Sequence, residues 1–417
     1  MCTNNYAKRL RLILTLTLCV LSCSKASKQN LRNDIEQSVE TNEFGTINLD
    51  ERNDECKLHH VFRETAAGLS SRTDLIKTSR ASSDHIHEVI FAVQGNGLDD
   101  LTELLHDISD PNSESYGQHM TRDQIEHITS NSASRDIVIT HLHELGAQIV
   151  SVSAYGEYIT AQAPISVWEK SFDTEFYTFD HTHTIDSTPT QVIRAEKYSV
   201  PASLHEHLAY VFHTVQMPLA IWGKPIMHLL RNSSSNIFAS VSSGSVSPTL
   251  LNEFYNIRSN RGTIKSSQAV YETIGQNLSP KDLTRFQTFF GLPLEPVTTL
   301  IGGHVSDDIC IKSPESCTEA NLDTQYLMAI SQGSPTTHWY TDSNSFAAWL
   351  LTVAGYADPP RVISISYGAS ESTVTKSEFD AFNVQAIKLG LMGVTIVAAS
   401  GGDNHTSDHR SSNVMLN

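Results

Sequence analysis

The chain has 417 residues, a formal net charge of −17 and a sequence pI of about 5.5. This acidic balance excludes proteins that bind nucleic acid or anionic membranes through a basic surface, because no such surface is available to neutralise phosphates. The length allows two or three domains, and the 39% hydrophobic fraction is enough for a sizeable core.

The first 26 residues have the pattern of a secretory signal peptide. Basic residues between Lys8 and Arg11 precede an apolar stretch over 12–21, and small residues follow up to Ala26. The apolar stretch is too short to cross a bilayer. We therefore predict a signal peptide over 1–26, a lysosomal or extracellular destination, and a mature chain without a membrane span. A short N-terminal anchor is the alternative.

Several residues fit passage through an oxidising compartment. Cys310 and Cys317 are close enough in sequence to close a small disulfide loop, although both could also be free thiols. Glycosylation sequons occur at Asn232, Asn277 and Asn404, and such tripeptides also arise by chance.

The order of predicted elements divides the rest of the chain. Residues 27–84 are read as a disordered leader and the start of a propeptide. Residues 85–221 follow a β-α-α-β-β-α order, which predicts a compact α+β domain with an antiparallel, ferredoxin-like sandwich. Serine-rich sequence over 222–247 predicts a linker that contains the processing site.

After residue 248 the pattern changes to alternating strands and helices. Strands near 361–367 and 394–399 are separated by a helix near 379–389, which predicts a right-handed crossover and a parallel sheet. Ligands of such sheets bind at the carboxyl ends of the strands, and Ser400 to Asp403 lie at such an end.

Two acidic residues, Glu319 and Asp323, are separated by four positions in a predicted helix. Residues four apart share a helix face, and a solvated acidic face is the common explanation for such a spacing. The functional alternative is a coupled acid pair in which the carboxyls share a proton. Such a pair acts as a general base at acidic pH, where a histidine is charged.

Asp403 follows two glycines after an apolar strand. The sequence is ordinary for a turn, and the functional alternative is a protonated carboxyl that donates a hydrogen bond to an oxyanion. A metal site with His405, Asp408 and His409 is disfavoured, because the neighbouring glycines indicate a loop rather than a helix.

Several of these segments together resemble the sedolisin family of serine-carboxyl peptidases. The segment 319–328 resembles the helix that bears the family's catalytic glutamate and aspartate, and 362–368 resembles the strand that follows the family's helix. Segment 394–401 resembles the strand before its oxyanion aspartate, and 247–257 resembles the start of its mature enzyme. Ser109 to Gly117 resembles part of its activation domain.

The resemblance implies a sedolisin-type activation prodomain over 85–221. It also implies a subtilisin-like α/β catalytic domain over 248–417, incomplete at its C-terminal end. It implies a zymogen whose full-length form cuts peptides through an acyl-enzyme, with tripeptides released from free N-termini. Glu319 is then the general base, Asp323 its modulator and Asp403 the oxyanion acid. This chain has Ser-Gly-Gly-Asp where the family has Ser-Gly-Asp, so the last role requires one inserted glycine.

The family's Gly-Thr-Ser nucleophile motif does not occur in the sequence. We therefore expect a C-terminally truncated and inactive chain, with no cofactor of its own, since the family's calcium loop also lies near its C-terminus. The predicted partners are a peptide substrate and the chain's own prodomain. Two alternatives stay open: a catalytically inactive binder or inhibitor of related peptidases, and an unrelated lumenal glycoprotein.

The histidines are concentrated in the prodomain. Of the 19 in the chain, 15 lie between His59 and His228. Histidine has an ordinary pKa near 6.5, so these residues are expected to gain charge in acid and to weaken the prodomain's fit. Ordinary surface histidines are the alternative.

Overall fold

The fold is taken from a computed structural model. It describes residues 59–153, 155–182, 190–219, 221–222, 246–342 and 345–399. The predicted signal peptide, most of the linker, Asn232 and everything from residue 400 onward, including Asp403 and Asn404, lie outside these described residues. None of the helices in the described ranges is both long and apolar enough to cross a membrane.

The first part is built on antiparallel strands. Its strands are β1 (His60–Thr65), β2 (Leu75–Arg80), β3 (Ile86–Val93), β4 (Gln148–Val152), β5 (Tyr158–Pro164), β6 (Phe176–His181), β7 (Thr190–Ala195), β8 (Lys197–Pro201) and β9 (Leu208–Phe212). Its helices are α1 (Leu98–Ser109), α2 (Arg122–Thr129), α3 (Ser132–Glu144), α4 (Ile165–Phe172) and α5 (Ala202–His205). The main sheet has the order β4-β5-β3-β9, with a second sheet β2-β6-β7 and a β1-β8 pair.

Aromatic packing forms the core of this part. Trp168 and Phe172 are one helical turn apart on α4 and stack at 5.7 Å between ring centroids. Phe91 of β3 packs against both rings. The Trp168 indole N–H donates to the carbonyl of His87 at 2.9 Å, so its one polar atom is satisfied inside the core.

The second part is built on a parallel sheet. Its strands are β10 (Ile221–Trp222), β11 (Gln268–Glu272), β12 (Thr299–Ile301), β13 (Thr336–Tyr340), β14 (Val362–Ile365), β15 (Gly368–Ala369) and β16 (Thr395–Ala398). Its helices are α6 (Pro248–Phe254), α7 (Pro280–Phe290), α8 (Asp307–Lys312), α9 (Thr318–Ile330), α10 (Phe346–Ala354) and α11 (Lys376–Leu391). The five-stranded sheet has the order β12-β13-β11-β14-β16 with every pairing parallel.

The predicted mixed architecture, antiparallel first and parallel second, is confirmed. Ser279 begins α7 as expected, since its side chain accepts from the amide of Asp282 and Pro280 takes the first helical position. Strands β1 and β2 lie before residue 85, where the activation domain was predicted to begin. They belong to the same part of the fold, because they pair with β8 and β6, which come much later in sequence.

Buried aromatic residues hold the helices on the parallel sheet. Tyr271 of β11 and Trp349 of α10 meet edge to face at 4.6 Å, and Tyr367 contacts the same tyrosine ring at 5.6 Å. This packing fixes the carboxyl ends of β11 and β14 beside each other, in the register Tyr271 to Ile365. The residues that follow these two strands therefore emerge at one edge.

Candidate active site

Helix α9 carries the predicted acid pair. Glu319 lies in its first turn and Asp323 one turn later, on the same side of the helix. Both residues are half-buried, whereas the neighbouring Leu322 is exposed. The pair therefore does not lie on the solvent face of the helix.

Burial changes the acidity of both carboxyls. Burial, followed by the nearby charge of Asp323, raises the pKa of Glu319 to about 7. Burial raises the pKa of Asp323 to about 6, although a hydrogen bond with the Ser366 side chain works in the opposite direction. The Oδ2 atom of Asp323 is buried without a hydrogen-bond partner among the described residues. These features are typical of a coupled acid pair rather than of a solvated acidic surface.

A third acid, Glu272, joins the pair and was missed by the sequence analysis. It is the last residue of β11 and fully buried. Its Oε2 atom accepts a hydrogen bond from the Tyr367 hydroxyl at 2.8 Å. Burial and the charges of Asp323 and Glu319 raise its pKa well above the usual value, against the effect of Tyr367. The sequence pattern that could have indicated Glu272 is a glutamate at the end of an apolar strand of the parallel sheet.

The loop after β11 fixes the start of α9. The backbone N–H of Glu319 donates to Oε1 of Gln276 at 3.1 Å, and Nε2 of Gln276 donates to the carbonyl of Glu315 at 3.1 Å. The amide of Ser279 donates to the Asn321 side chain at 2.9 Å. The backbone that bears the first acid is thus held by buried side-chain bonds, as a preorganised site requires.

The other predicted site residues have different positions. Cys310 and Cys317 form a disulfide with their Cα atoms 5.5 Å apart, directly before α9. The side chain of Asn277 is buried and donates to the carbonyl of Gly275 at 2.8 Å, so a glycan there would require it to leave this position. Glycosylation at this residue stays a prediction.

Asp403 lies outside the described residues, but the strand that leads to it does not. Strand β16 pairs with β14 in parallel, and the amide of Ala399 donates to the carbonyl of Ile365 at 2.9 Å. The chain therefore passes residue 399 at the same sheet edge as Ser366 and Tyr367. Among the described residues, no group of three or more histidine, cysteine, aspartate or glutamate side chains is arranged to hold a metal ion.

Comparison with known proteins gives a consistent answer. The family "Pro-kumamolisin, activation domain" matches residues 73–217, which lie in the antiparallel part of the fold. Tripeptidyl-peptidase 1 of Macaca fascicularis is 26% identical over 343 residues. Tripeptidyl-peptidase 1 of Dictyostelium discoideum is 25% identical over 351 residues. Physarolisin of Physarum polycephalum is 25% identical over 356 residues.

This chain is similar to sedolisin peptidases. The three alignments cover 78%, 75% and 81% of the chain, in the order given. They cover 58%, 56% and 57% of the matched proteins, so the chain spans less than two thirds of the length of these relatives. The resemblance to the sedolisin family is confirmed.

Proposed function

We propose that this sedolisin relative is the precursor part of a serine-carboxyl peptidase that works in an acidic compartment of the secretory pathway. The observation that supports it is the position of Glu319 and Asp323, a partly buried acid pair one turn apart on helix α9 at the carboxyl edge of a parallel sheet. The names of the relatives add the finer proposal that tripeptides are released from peptide N-termini.

In the proposed reaction Glu319 is the general base. Its carboxylate takes the proton of a serine hydroxyl while the serine oxygen bonds to the peptide carbonyl carbon. The same proton then passes to the leaving amine as the carbon–nitrogen bond breaks, which leaves an acyl-enzyme. Water attacks that ester with Glu319 again as the base, and serine is regenerated.

Asp323 and Glu272 modulate the base in this proposal. The charge of Asp323 raises the pKa of Glu319, which makes its carboxylate a stronger proton acceptor but leaves that carboxylate a minor form at pH 4–6, so the base acts through this ionised fraction. Glu272 holds a proton because of its burial, and its bond with Tyr367 fixes its carboxyl beneath the pair. Asp403, in its protonated form, donates a hydrogen bond to the oxyanion.

The described site contains the hydroxyl of Ser366, which interacts with Asp323, but Ser366 does not belong to a Gly-Thr-Ser segment like the family's nucleophile. Since the sequence contains no Gly-Thr-Ser segment, we propose that these 417 residues alone hydrolyse no peptide by this route. Loss of the nucleophile typically reduces the rate enhancement by about 10⁶.

The zymogen part of the proposal is supported by two features. The order β4-β5-β3-β9, with helices between the strands, supports a ferredoxin-like activation domain. Directly after it, β10 pairs antiparallel with β15, so Ile221 and Trp222 lie along the edge formed by Gly368 and Ala369. A segment in that position covers the edge next to the acid cluster. The disulfide and the N-terminal sequence support the secretory route.

The experiment extends the chain with the downstream segment that encodes a Gly-Thr-Ser motif, taken from its own transcript. Activity is measured at pH 4–6 on a fluorogenic tripeptide with a free N-terminus, after acid treatment. We expect Glu319→Gln to abolish turnover and Glu315→Gln, an exposed neighbour, to keep it. Near-normal turnover in Glu319→Gln contradicts the proposal. A transcript that stops after Asn417 favours the inactive binder.

A further inference from the structure

Two neighbouring hydroxyl groups after strand β14 bind two different acids of the site. Ser366 and Tyr367 directly follow β14, which ends at Ile365. The Tyr367 hydroxyl donates to Oε2 of Glu272 at 2.8 Å, and the Ser366 side chain forms a hydrogen bond with Asp323. One dipeptide therefore gives a hydrogen-bond partner to an acid from β11 and to an acid from helix α9.

The sheet topology brings these groups together. Strands β14 and β11 run parallel with Ile365 opposite Tyr271, so the positions that follow, Ser366 and Glu272, come to the same edge. Helix α9, which carries Asp323, packs against β11. A change of the Ser366 side chain therefore alters the site without removing a backbone hydrogen bond of the sheet.

The Ser366 hydroxyl distinguishes the two members of the acid pair. The pKa of Glu319 responds to burial and to the charge of Asp323. The pKa of Asp323 responds to burial and, in the opposite direction, to the hydrogen bond with Ser366. A hydrogen bond of this kind stabilises a carboxylate over a carboxylic acid, so it favours negative charge on Asp323.

Burial by itself favours the opposite order of ionisation. Asp323 is the more deeply buried acid of the pair, and its Oδ2 atom has no hydrogen-bond partner in the described part of the chain. Deeper burial raises the free energy of the charged form. The pKa of Asp323 is nevertheless about 6, against about 7 for Glu319. The ordinary values of 3.8 and 4.5 give part of this order, and the Ser366 hydroxyl adds to it.

The other groups that face the pair do not decide between its members. Burial keeps Glu272 of β11 protonated at pH 7 and below. Burial and the neighbouring acids also raise the pKa of the Tyr367 hydroxyl well above its usual value, so this group stays neutral. Neither group carries a charge that would place the first ionisation on one carboxyl of the pair rather than on the other.

We propose that Ser366 is a positioning residue that assigns the first negative charge of the acid pair to Asp323. Its hydroxyl holds the Asp323 carboxylate, so that Glu319 is the member that keeps its proton longer as pH rises. The inference rests on the proposed role of Glu319 as the general base, because it decides at which pH that base becomes available. It also gives this serine a function other than that of a nucleophile.

The test is the pH titration of both carboxyl carbons by NMR in the full chain, with Glu319→Gln and Asp323→Asn used to assign the signals. Ser366→Ala should raise the midpoint of Asp323 by about one pH unit, because its charged form loses a hydrogen bond. The midpoint of Glu319 should fall in the same variant, because Asp323 is then less charged while Glu319 titrates. A merely loosened site would move both midpoints down, towards 3.8 and 4.5.

Two matched variants complete the experiment. Ser366→Thr keeps the hydroxyl and should keep both wild-type midpoints. Ser364→Ala removes a hydroxyl two residues earlier, within β14, and should also leave both midpoints in place.

The proposal is overturned if Ser366→Ala leaves the midpoints unchanged or moves both in the same direction. It is also overturned if Ser366→Thr titrates like Ser366→Ala, or if Ser364→Ala reproduces the effect of Ser366→Ala. No peptide is cleaved in this test, so a failure of the proposed peptidase reaction produces none of these results.

Discussion

Tyr367 donates its hydroxyl hydrogen to Glu272 at 2.8 Å, and these residues follow or end two neighbouring parallel strands. Glu272 is completely shielded from solvent, and its other carboxyl oxygen has no partner in the described part of the chain. The bond is therefore the main stabilisation of a buried acid that also interacts with the charges of Asp323 and Glu319. A buried polar group of this kind is costly to leave unsatisfied.

Removal of the Tyr367 hydroxyl should raise the pKa of Glu272 further, because its hydrogen bond favours the carboxylate. We expect Tyr367→Phe to lower the free energy of unfolding by about 1–3 kcal/mol at pH 7. The loss should be similar at pH 4, because burial keeps Glu272 protonated in the folded protein at both pH values. Urea unfolding at the two pH values measures this. Tyr356→Phe, at a more exposed ring, is the control. A loss that is much larger at pH 7 than at pH 4 contradicts the assignment, because it requires an ionised Glu272 at pH 7.

Glu378 should make the protein more stable in acid. Burial raises its pKa to about 7, against hydrogen bonds from Thr375 and Ser345 and the charge of Arg194. Since the folded pKa lies above the unfolded value of 4.5, the contribution is complete below pH 4.5 and is lost as pH rises to 7. The shift corresponds to about 3 kcal/mol. Glu378→Gln should flatten the dependence of unfolding free energy on pH over this range. If the slope of the unfolding free energy against pH is the same in Glu378→Gln as in the wild type, the prediction is contradicted.

His87, in the activation domain, should make the protein less stable in acid. Burial, followed by the charges of Arg194 and His85, lowers its pKa to about 4, although a hydrogen bond to the carbonyl of His213 raises it. Its folded pKa is depressed, so its contribution is present above pH 6.5 and is lost as pH falls to 4. His87→Leu should remove that acid-dependent loss, whereas His127→Leu, at an exposed position, should keep it. Hydrogen exchange in β3 at pH 6.5 and 4.5 reports the difference.

Asp323→Asn should lower the pKa of Glu319, because it removes the neighbouring negative charge that raises it. Asp358→Asn, at an exposed loop residue, changes the same charge without approaching the pair and should leave the titration unchanged. Carbon-detected NMR of the Glu319 carboxyl follows both. If Asp323→Asn raises the pKa or leaves it in place, the two carboxyls do not interact as described.

The sequence predicted the architecture better than the site. Alternating strands and helices after residue 248 have strong hydrophobic patterns, and the parallel sheet follows from them. The spacing of Glu319 and Asp323 predicted a shared helix face but not its orientation. That depends on Gln276 and the disulfide, which hold the helix against the sheet. The sequence analysis did not identify Glu272, because its partner Tyr367 is 95 residues away in sequence.

The central claim is that Glu319 belongs to a buried acid pair that holds a proton near neutral pH. The most direct test is the pH titration of the Glu319 carboxyl carbon in the unmodified chain, with Glu319→Gln used to assign the signal. We expect a midpoint near pH 7, because burial and the charge of Asp323 both disfavour the carboxylate. A midpoint near 4.5, the value of a solvated glutamate, would contradict the account.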